Sequence, residues 1–335
     1  MNIFKLVPVF FLEKLRVIFK SLGKKEDKIK KLLILNKFNK KFNKLKNLQE
    51  DFNPKKKINK KIKIFAVVCF YFNKDKINNL ITVCKSLIEI DRNNEINIIT
   101  NKSKKYLLKM LKKEIKFNIK IVEIKNLAND RMLPWHHINI MKKNFSRKNI
   151  THFTYLEDDI LLTKTNFAYW QNSKKILKQF NLIPGFVRTE ANQKNKQTYA
   201  IDFEKKIKIK NLPKFVINKI YQFVNSQFPY QGMYLYDREL MREYLFGPIS
   251  NPDFGHGAYK VEFHNKEMIN LDLMAKANIG LTFYKVPNYF NNRIVILYNK
   301  INDNIDESCC IKHLTNRYAN EKSSFGNIKL KEALN

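Results

Sequence analysis

Glycine, proline, cysteine and tryptophan are all scarce in this chain of 335 residues, at 8, 9, 4 and 2 copies. The few glycines form no phosphate loop and no G-x-S-x-G elbow, and no His-Glu-x-x-His motif occurs. A P-loop NTPase, an α/β-hydrolase and a zincin are therefore excluded. The four cysteines are Cys69 and Cys84 in apolar runs and the adjacent pair Cys309 and Cys310, none at the spacing of a zinc site or a redox motif. Such usage fits a reducing, cytoplasmic compartment; a strained disulfide between the adjacent pair is the rarer alternative. No stretch reaches the roughly 20 apolar residues that cross a bilayer. Disorder of the whole chain is excluded as well, because 44% apolar residues over this length can bury a full core.

Acidic residues are also short, with 30 Asp and Glu against 64 Lys and Arg and a formal net charge of +34. That excess invites a nucleic-acid partner through counterion release. The Lys, Asn and Ile are spread through nearly every segment, however, and form no stripe, so no nucleic acid is expected. An anionic donor, an anionic acceptor or an acidic membrane surface is electrostatically welcome.

The N-terminal stretch IFKLVPVFFLEKLRVIFK is apolar and basic, without a small-residue cleavage site. Two readings fit it equally. It is an interfacial helix inserting Phe10, Phe11, Leu15, Ile18 and Phe19 with Lys14, Arg16 and Lys20 at the head groups, or it is a helix docked on the domain. From Lys24 to Lys61, Lys and Asn dominate with Leu, Ile or Phe at helical intervals, and Pro54 followed by KKK marks a boundary. Residues 1–60 are thus read as a basic amphipathic helical extension.

A different texture starts at Ile62, where IKIFAVVCFYF reads as a strand buried on both faces. A helix around Leu80–Ile90, the strand INIIT, a helix near Lys104–Lys113, the strand FNIKIVEI, a helix at His136–Asn144 and the strand HFTYLEDDILL follow. This alternation implies βαβ units and an α/β fold, a mostly parallel sheet flanked by helices. Downstream come GFVRTE, PYQGMYLYD, a helix from near Arg238, a helix ending at Gly280 and a strand LTFYKV.

Three consecutive carboxylates, Glu157, Asp158 and Asp159, end an apolar strand, where like charges repel in low dielectric. Something cationic should offset that cost. In extended backbone Glu157 and Asp159 share one face, which suits a divalent ion and a ribose, and Asp158 takes the other. Ligands of open α/β sheets sit at the carboxyl ends of strands, where this cluster falls. A hard ion, Mn²⁺ or Mg²⁺, prefers such oxygens and can bridge the phosphates of a nucleotide donor.

YLEDDILL resembles the Asp-X-Asp signature of GT-A glycosyltransferases, in its Glu-Asp-Asp form. Segments LPWHHINIMKKNF, PGFVRTE, FPYQGMYLYDRELM, LDLMAKANIGLTFYKVPNYFNNR and IKHLTNRYANEKSSFG are similar in order and spacing. The resemblance spans roughly Ile62 to Leu330. It implies a Rossmann-like nucleotide-diphospho-sugar transferase fold over 61–335, with a nucleotide-sugar-binding half at 61–162 and an acceptor-binding half at 163–335. It implies a nucleotide-sugar donor, a glycan or glycolipid acceptor, Asp159 as metal ligand, Glu157 beside it, and Asp158 in the donor shell. By the same resemblance His313 completes the metal site or touches the diphosphate, with Lys312 beside it as a phosphate contact. Asp272, at the start of the helix that Asn270 would cap, would be the base that deprotonates the acceptor hydroxyl, with Glu262 and Glu267 as substitutes.

Each remaining candidate has a plain reading beside the functional one. Trp135 and His137 would stack on or hydrogen-bond the donor base, although His136 and His137 point about 100° apart on a helix and cannot easily share one ion. Arg188, which shares a face with Glu190, neutralises the diphosphate or pairs across strands. Tyr230, Gln231 and Gly232 approach the sugar or acceptor. The loop NPDFGHG around Asp253 and His256 has the composition of a lid, or of a turn. A metal-dependent nucleotidyltransferase or nuclease and a non-enzymatic RNA- or membrane-binding protein remain the rival classes. Localisation is expected to be cytoplasmic, with the extension at the inner face of the membrane.

Overall fold

The computed structural model describes residues 50–57, 61–111, 119–251, 272–321 and 325–334, and the backbone alone of 262–263 and 267–268. The chain divides into two units, Met1–Leu48 and Gln49–Asn335, so the compact domain begins earlier than the boundary expected at residue 61. Phe52 shows why. Its ring packs edge-on against Tyr221 and Phe223, which makes it a core residue of the domain. Of the helical extension expected over 1–60, residues 1–49 and 58–60 lie outside the described residues.

The domain is α/β. Its central sheet takes β1 (Ile64–Phe70), β2 (Glu95–Thr100), β3 (Ile119–Glu123) and β4 (His152–Glu157) in the parallel order 4-1-2-3. All seven residues of β1 are buried, as an uninterrupted apolar run between two parallel neighbours requires. Crossovers run through α1 (Ile77–Ile90), α2 (Lys104–Leu111) and α3 (His136–Asn144). Right-handed crossovers place α1 and α2 on one face, and the return from β3 to β4 places α3 on the other. The strand order therefore reverses between β1 and β4. At their carboxyl ends Cys69 lies in register with Glu157, so the acidic cluster sits at this switch point.

After β4 the chain turns at Asp158–Asp159 and enters β5 (Ile160–Leu161), then α4 (Lys164–Leu177), whose Thr163 and Asn166 form a reciprocal cap. The turn ends the extended alternation expected through the acids. Beyond α4 come β6 (Ile183–Pro184), β7 (Val187–Ala191), β8 (Thr198–Ala200), β9 (Lys214–Val216), β10 (Tyr221–Asn225) and β11 (Met233–Asp237). Then follow α5 (Arg238–Leu245), β12 (Glu262–Phe263), β13 (Glu267–Met268), α6 (Leu273–Ile279), β14 (Ile294–Asn299), β15 (Asn304–Ile305), β16 (Cys310–His313) and β17 (Ile328–Lys329). Strand β11 pairs antiparallel with β4 and completes the central sheet. The expected halves at 61–162 and 163–335 are thus interleaved.

A second sheet runs β15-β14-β10-β9 with β6 beside β14, and a third runs β17-β8-β7-β16-β5. The third sheet positions the site, because β16 pairs antiparallel with β5 directly after the acids and parallel with β7 on its other side. The expected strand LTFYKV is a run of turns at Leu281–Val286. Its carbonyls are taken by Arg293 in place of a ladder: the Arg293 amide donates to Thr282 O and its guanidinium to Tyr284 O. All four cysteines are free thiols. Among the described residues no helix is long and apolar enough to cross a membrane.

Candidate functional site

The acidic turn divides into one carboxylate that the protein satisfies and two that it leaves in part unpaired. Glu157 Oε1 accepts hydrogen bonds from the Tyr230 hydroxyl at 2.9 Å and from the Asn278 amide of α6, and Asn278 also donates to the Tyr230 hydroxyl. Arg188 lies 3.9 Å from Glu157 Oε2, covers the Tyr230 ring at 4.6 Å, and forms a bidentate pair with Asp202. Asp158 and Asp159 are 7% and 5% exposed. Among the described residues Asp158 Oδ2, Asp159 Oδ1 and Asn278 Oδ1 are buried without a hydrogen-bond partner.

Two cations share the other oxygen of Asp159. The Lys76 ammonium stands 3.5 Å from Oδ2 and His313 Nε2 stands 3.4 Å from it. His313 Nδ1 faces Glu190 Oε1 at 2.5 Å, and Glu190 Oε2 accepts the Ala319 amide at 2.7 Å. The backbone reinforces this contact, since Leu314 N donates to Asp159 O at 2.8 Å.

These placements set the proton affinities. Burial raises the carboxyls of Glu157 and Asp158, and the charge of Asp159 adds to it; Asp158 reaches about 7 although Lys76 opposes the rise. Burial acts on Asp159 in the same direction, but the hydrogen bond and charge of His313, with Lys76, prevail and hold it below the usual carboxylate range. Burial disfavours the charged form of His313, yet its bonds to Asp159 and Glu190 lift it to about 9. The imidazole thus lies clamped between two carboxylates, whose bonds favour its protonated form.

Orphaned carboxylate oxygens in a buried turn are the donor set a hard divalent cation takes, so Asp158 and Asp159 fit Mn²⁺ or Mg²⁺. Among the described residues no group of three His, Cys, Asp or Glu side chains converges in ligating geometry. Such an ion would draw its remaining ligands from water or a bound anion, as a Mg²⁺ site commonly does.

Several expected contacts are placed elsewhere. His137 is fully buried, its Nδ1 against Pro134 O and its ring among Tyr155, Tyr234 and Tyr244, so it is a core histidine with no path to a donor base. Trp135 is 4% exposed and its indole N–H donates to Leu273 O, which ties α6 to the turn before α3 in place of stacking on a base. Gln231 spends its amide inside the protein, with Oε1 accepting from Phe186 N at 2.7 Å and Nε2 donating to Pro229 O. Lys312 is exposed and, one residue from His313 on β16, points to the opposite face. Asp272 is the cap of α6, not a residue of its first turn: its carboxylate accepts from Ala275 N at 2.7 Å and is exposed. Glu262 and Glu267 lie on the short ladder β12–β13, where Glu262 pairs with Met268 and Phe263 with Glu267. Asp253 and His256 lie outside the described residues.

Lys76, Asn278, Asp202 and the link from Glu190 to His313 were not singled out in the sequence. Lys76 carries one visible signal, a lysine in the turn KDK directly after the first buried strand. Gly232 does approach a functional group, though from the protein side. It sits at φ +62°, and a Cβ there would lie 2.9 Å from Glu157 Oε2.

No protein-family profile matches the chain, and no curated protein matches it. Among solved structures it is similar to TarS residues 1–349 of S. aureus at 12% identity and TM-score 0.32, over 70% of this chain and 57% of that one. The chain thus spans little more than half of that structure. It is also similar to 4-diphosphocytidyl-2C-methyl-D-erythritol synthase of Anaerococcus prevotii at 10% identity and TM-score 0.29, over 56% of this chain and 77% of that one.

Proposed function

We propose that the chain is a divalent-metal-dependent glycosyltransferase of the GT-A kind that moves a sugar from a nucleotide-sugar donor to a glycan or glycolipid. One observation carries this reading: two buried carboxylates, Asp158 and Asp159, each hold an oxygen without a partner at the carboxyl-end switch point between β1 and β4. Asp158 and Asp159 would hold Mn²⁺ or Mg²⁺ there, which would supply positive charge to a departing diphosphate. Glu157 does not serve as a ligand in this reading. Pinned by Tyr230 and Asn278, it ties the acidic turn to α6 and to the segment that leads into β11. Arg188, bidentate to Asp202, adds fixed positive charge beside Glu157. Asp272 remains the proposed base, an exposed carboxylate at the start of α6, the helix that also carries Asn278.

The basic, apolar N-terminal stretch fits an anionic membrane surface, which supports a reaction at the cytoplasmic face with surface polysaccharide or lipopolysaccharide as the proposed product class. Calorimetric titration of UDP-, GDP- and CMP-sugars with and without Mn²⁺ tests the core of the proposal. One nucleotide should bind only with metal, and Asp159→Ala should abolish that binding. Release of pyrophosphate in place of a nucleoside phosphate would reassign the same acids to nucleotidyl transfer.

A further inference from the structure

Lys76 stands on the short turn Lys74–Lys76 at the carboxyl end of β1, beside the strand whose end bears the acids. Its ammonium reaches Asp159 Oδ2 at 3.5 Å while its side chain remains 40% exposed. The second cation on that oxygen, His313, is 6% exposed and held from behind by Glu190, so it has no freedom to leave. The two cations therefore differ in kind: one is built in, and the other sits on a flexible stem open to solvent. Asp159 Oδ1 and Asp158 Oδ2, the oxygens left for a ligand, belong to the same turn that Lys76 neutralises. A lysine ammonium this close repels any divalent cation that enters, and the long stem lets it swing away at little cost.

We propose that Lys76 is a displaceable counter-ion: it neutralises the acidic turn in the free enzyme, yields Asp159 when a divalent cation enters, and then contacts the diphosphate of the donor. The inference rests on the reading of the acidic turn as the metal-and-donor site. It predicts that one side chain opposes the metal and favours the nucleotide. A residue that merely supported the fold would act on both in the same direction.

The test is calorimetry on the full chain, with Mn²⁺ alone and then with UDP or GDP in saturating Mn²⁺, whichever the wild type binds more tightly. Lys76→Met should bind Mn²⁺ about tenfold more tightly and the nucleotide about tenfold more weakly, the size expected when one screened unit charge is removed from a partly exposed site. Lys76→Arg should keep both affinities within about threefold of the wild type, because its charge and reach are retained. Thermal melts confirm that the variants fold. Unchanged Mn²⁺ affinity in Lys76→Met, or weakening of Mn²⁺ and nucleotide together, overturns the role of Lys76 and leaves the site standing. A folded wild type that binds neither Mn²⁺ nor nucleotide overturns the site and this inference together.

Discussion

Gly232 is the residue that leaves room for the Glu157 carboxylate. Its φ of +62° lies in the left-handed region, and a methyl group there would meet Glu157 Oε2 at 2.9 Å and Ile160 at 3.2 Å. Gly232→Ala should therefore cost about 2 kcal/mol, from backbone strain and a displaced carboxylate, and urea unfolding should show it. It should also weaken donor binding, because Glu157 loses its fixed position against Tyr230 and Asn278. His137 presents the opposite case, a chemically capable residue made inert by its surroundings. Burial is the leading cause that drives its imidazole down to about 3, so the folded state keeps it neutral where the unfolded chain, at an ordinary value of 6.5, takes up a proton. Its contribution is complete above pH 6.5 and is lost as pH falls toward 3. A His137→Phe variant should be less stable than the wild type at pH 7, lacking the contact to Pro134, yet more stable at pH 4, and thermal melts at the two values would show the reversal. Retention of the same deficit at both pH values would mean that His137 does not stay neutral.

At the scale of elements, α6 carries two functions on a helix of seven residues. Asn278 near its end holds Glu157, and Asp272 at its start caps it. The two roles of Asp272 are separable, because Asn caps a helix as well as Asp does but cannot take a proton. Asp272→Asn should leave the melting temperature unchanged and lower kcat by about 10²-fold or more. Asp272→Ala should in addition cost about 1 kcal/mol of stability. Full activity of the Asn variant would remove Asp272 from the chemistry and leave it as a cap.

The legibility of elements follows from the same distinction between local and distant causes. Strand β1 is visible in the sequence because a seven-residue apolar run has one explanation, and α3 because His136–Asn144 repeats at helical spacing. LTFYKV misleads because its β-like pattern is overridden by Arg293, a residue further along the chain that takes its carbonyls. The acids were legible as a cluster, but their division of labour was not. Asn278 lies 121 positions from Glu157, and His313 lies 123 from Glu190.

The whole molecule carries a formal charge of +34, and self-repulsion of that size opposes the compact state. Raising NaCl from about 0.02 M to about 0.3 M shortens the Debye length from roughly 20 Å to under 10 Å. The thermal midpoint should rise over that range, and any adventitious binding to nucleic acid should fall steeply. A midpoint that falls with salt would show that specific ion pairs such as Glu95 with Arg147 and Lys63 outweigh the repulsion. Glu95 makes the strongest case among these pairs. The bond from Arg147 is the first cause that holds its carboxyl down to about 2.

Sequence alone determined the alternation of strands and helices, the α/β class, and the placing of three carboxylates at the end of a buried strand. Each of these follows from periodicities of two or 3.6 residues and from the cost of burying charge, which act within a single segment. Only the tertiary structure decided which acid is spent on the protein and which retain an open oxygen. It also decided that Lys76 and His313 are the neighbouring cations, and that Trp135, His137 and Gln231 belong to the scaffold. The reason is physical: a carboxylate takes its character from the groups within a few ångströms, and here those groups arrive from the turn after β1, from β7, from α6 and from β16, which no local pattern connects.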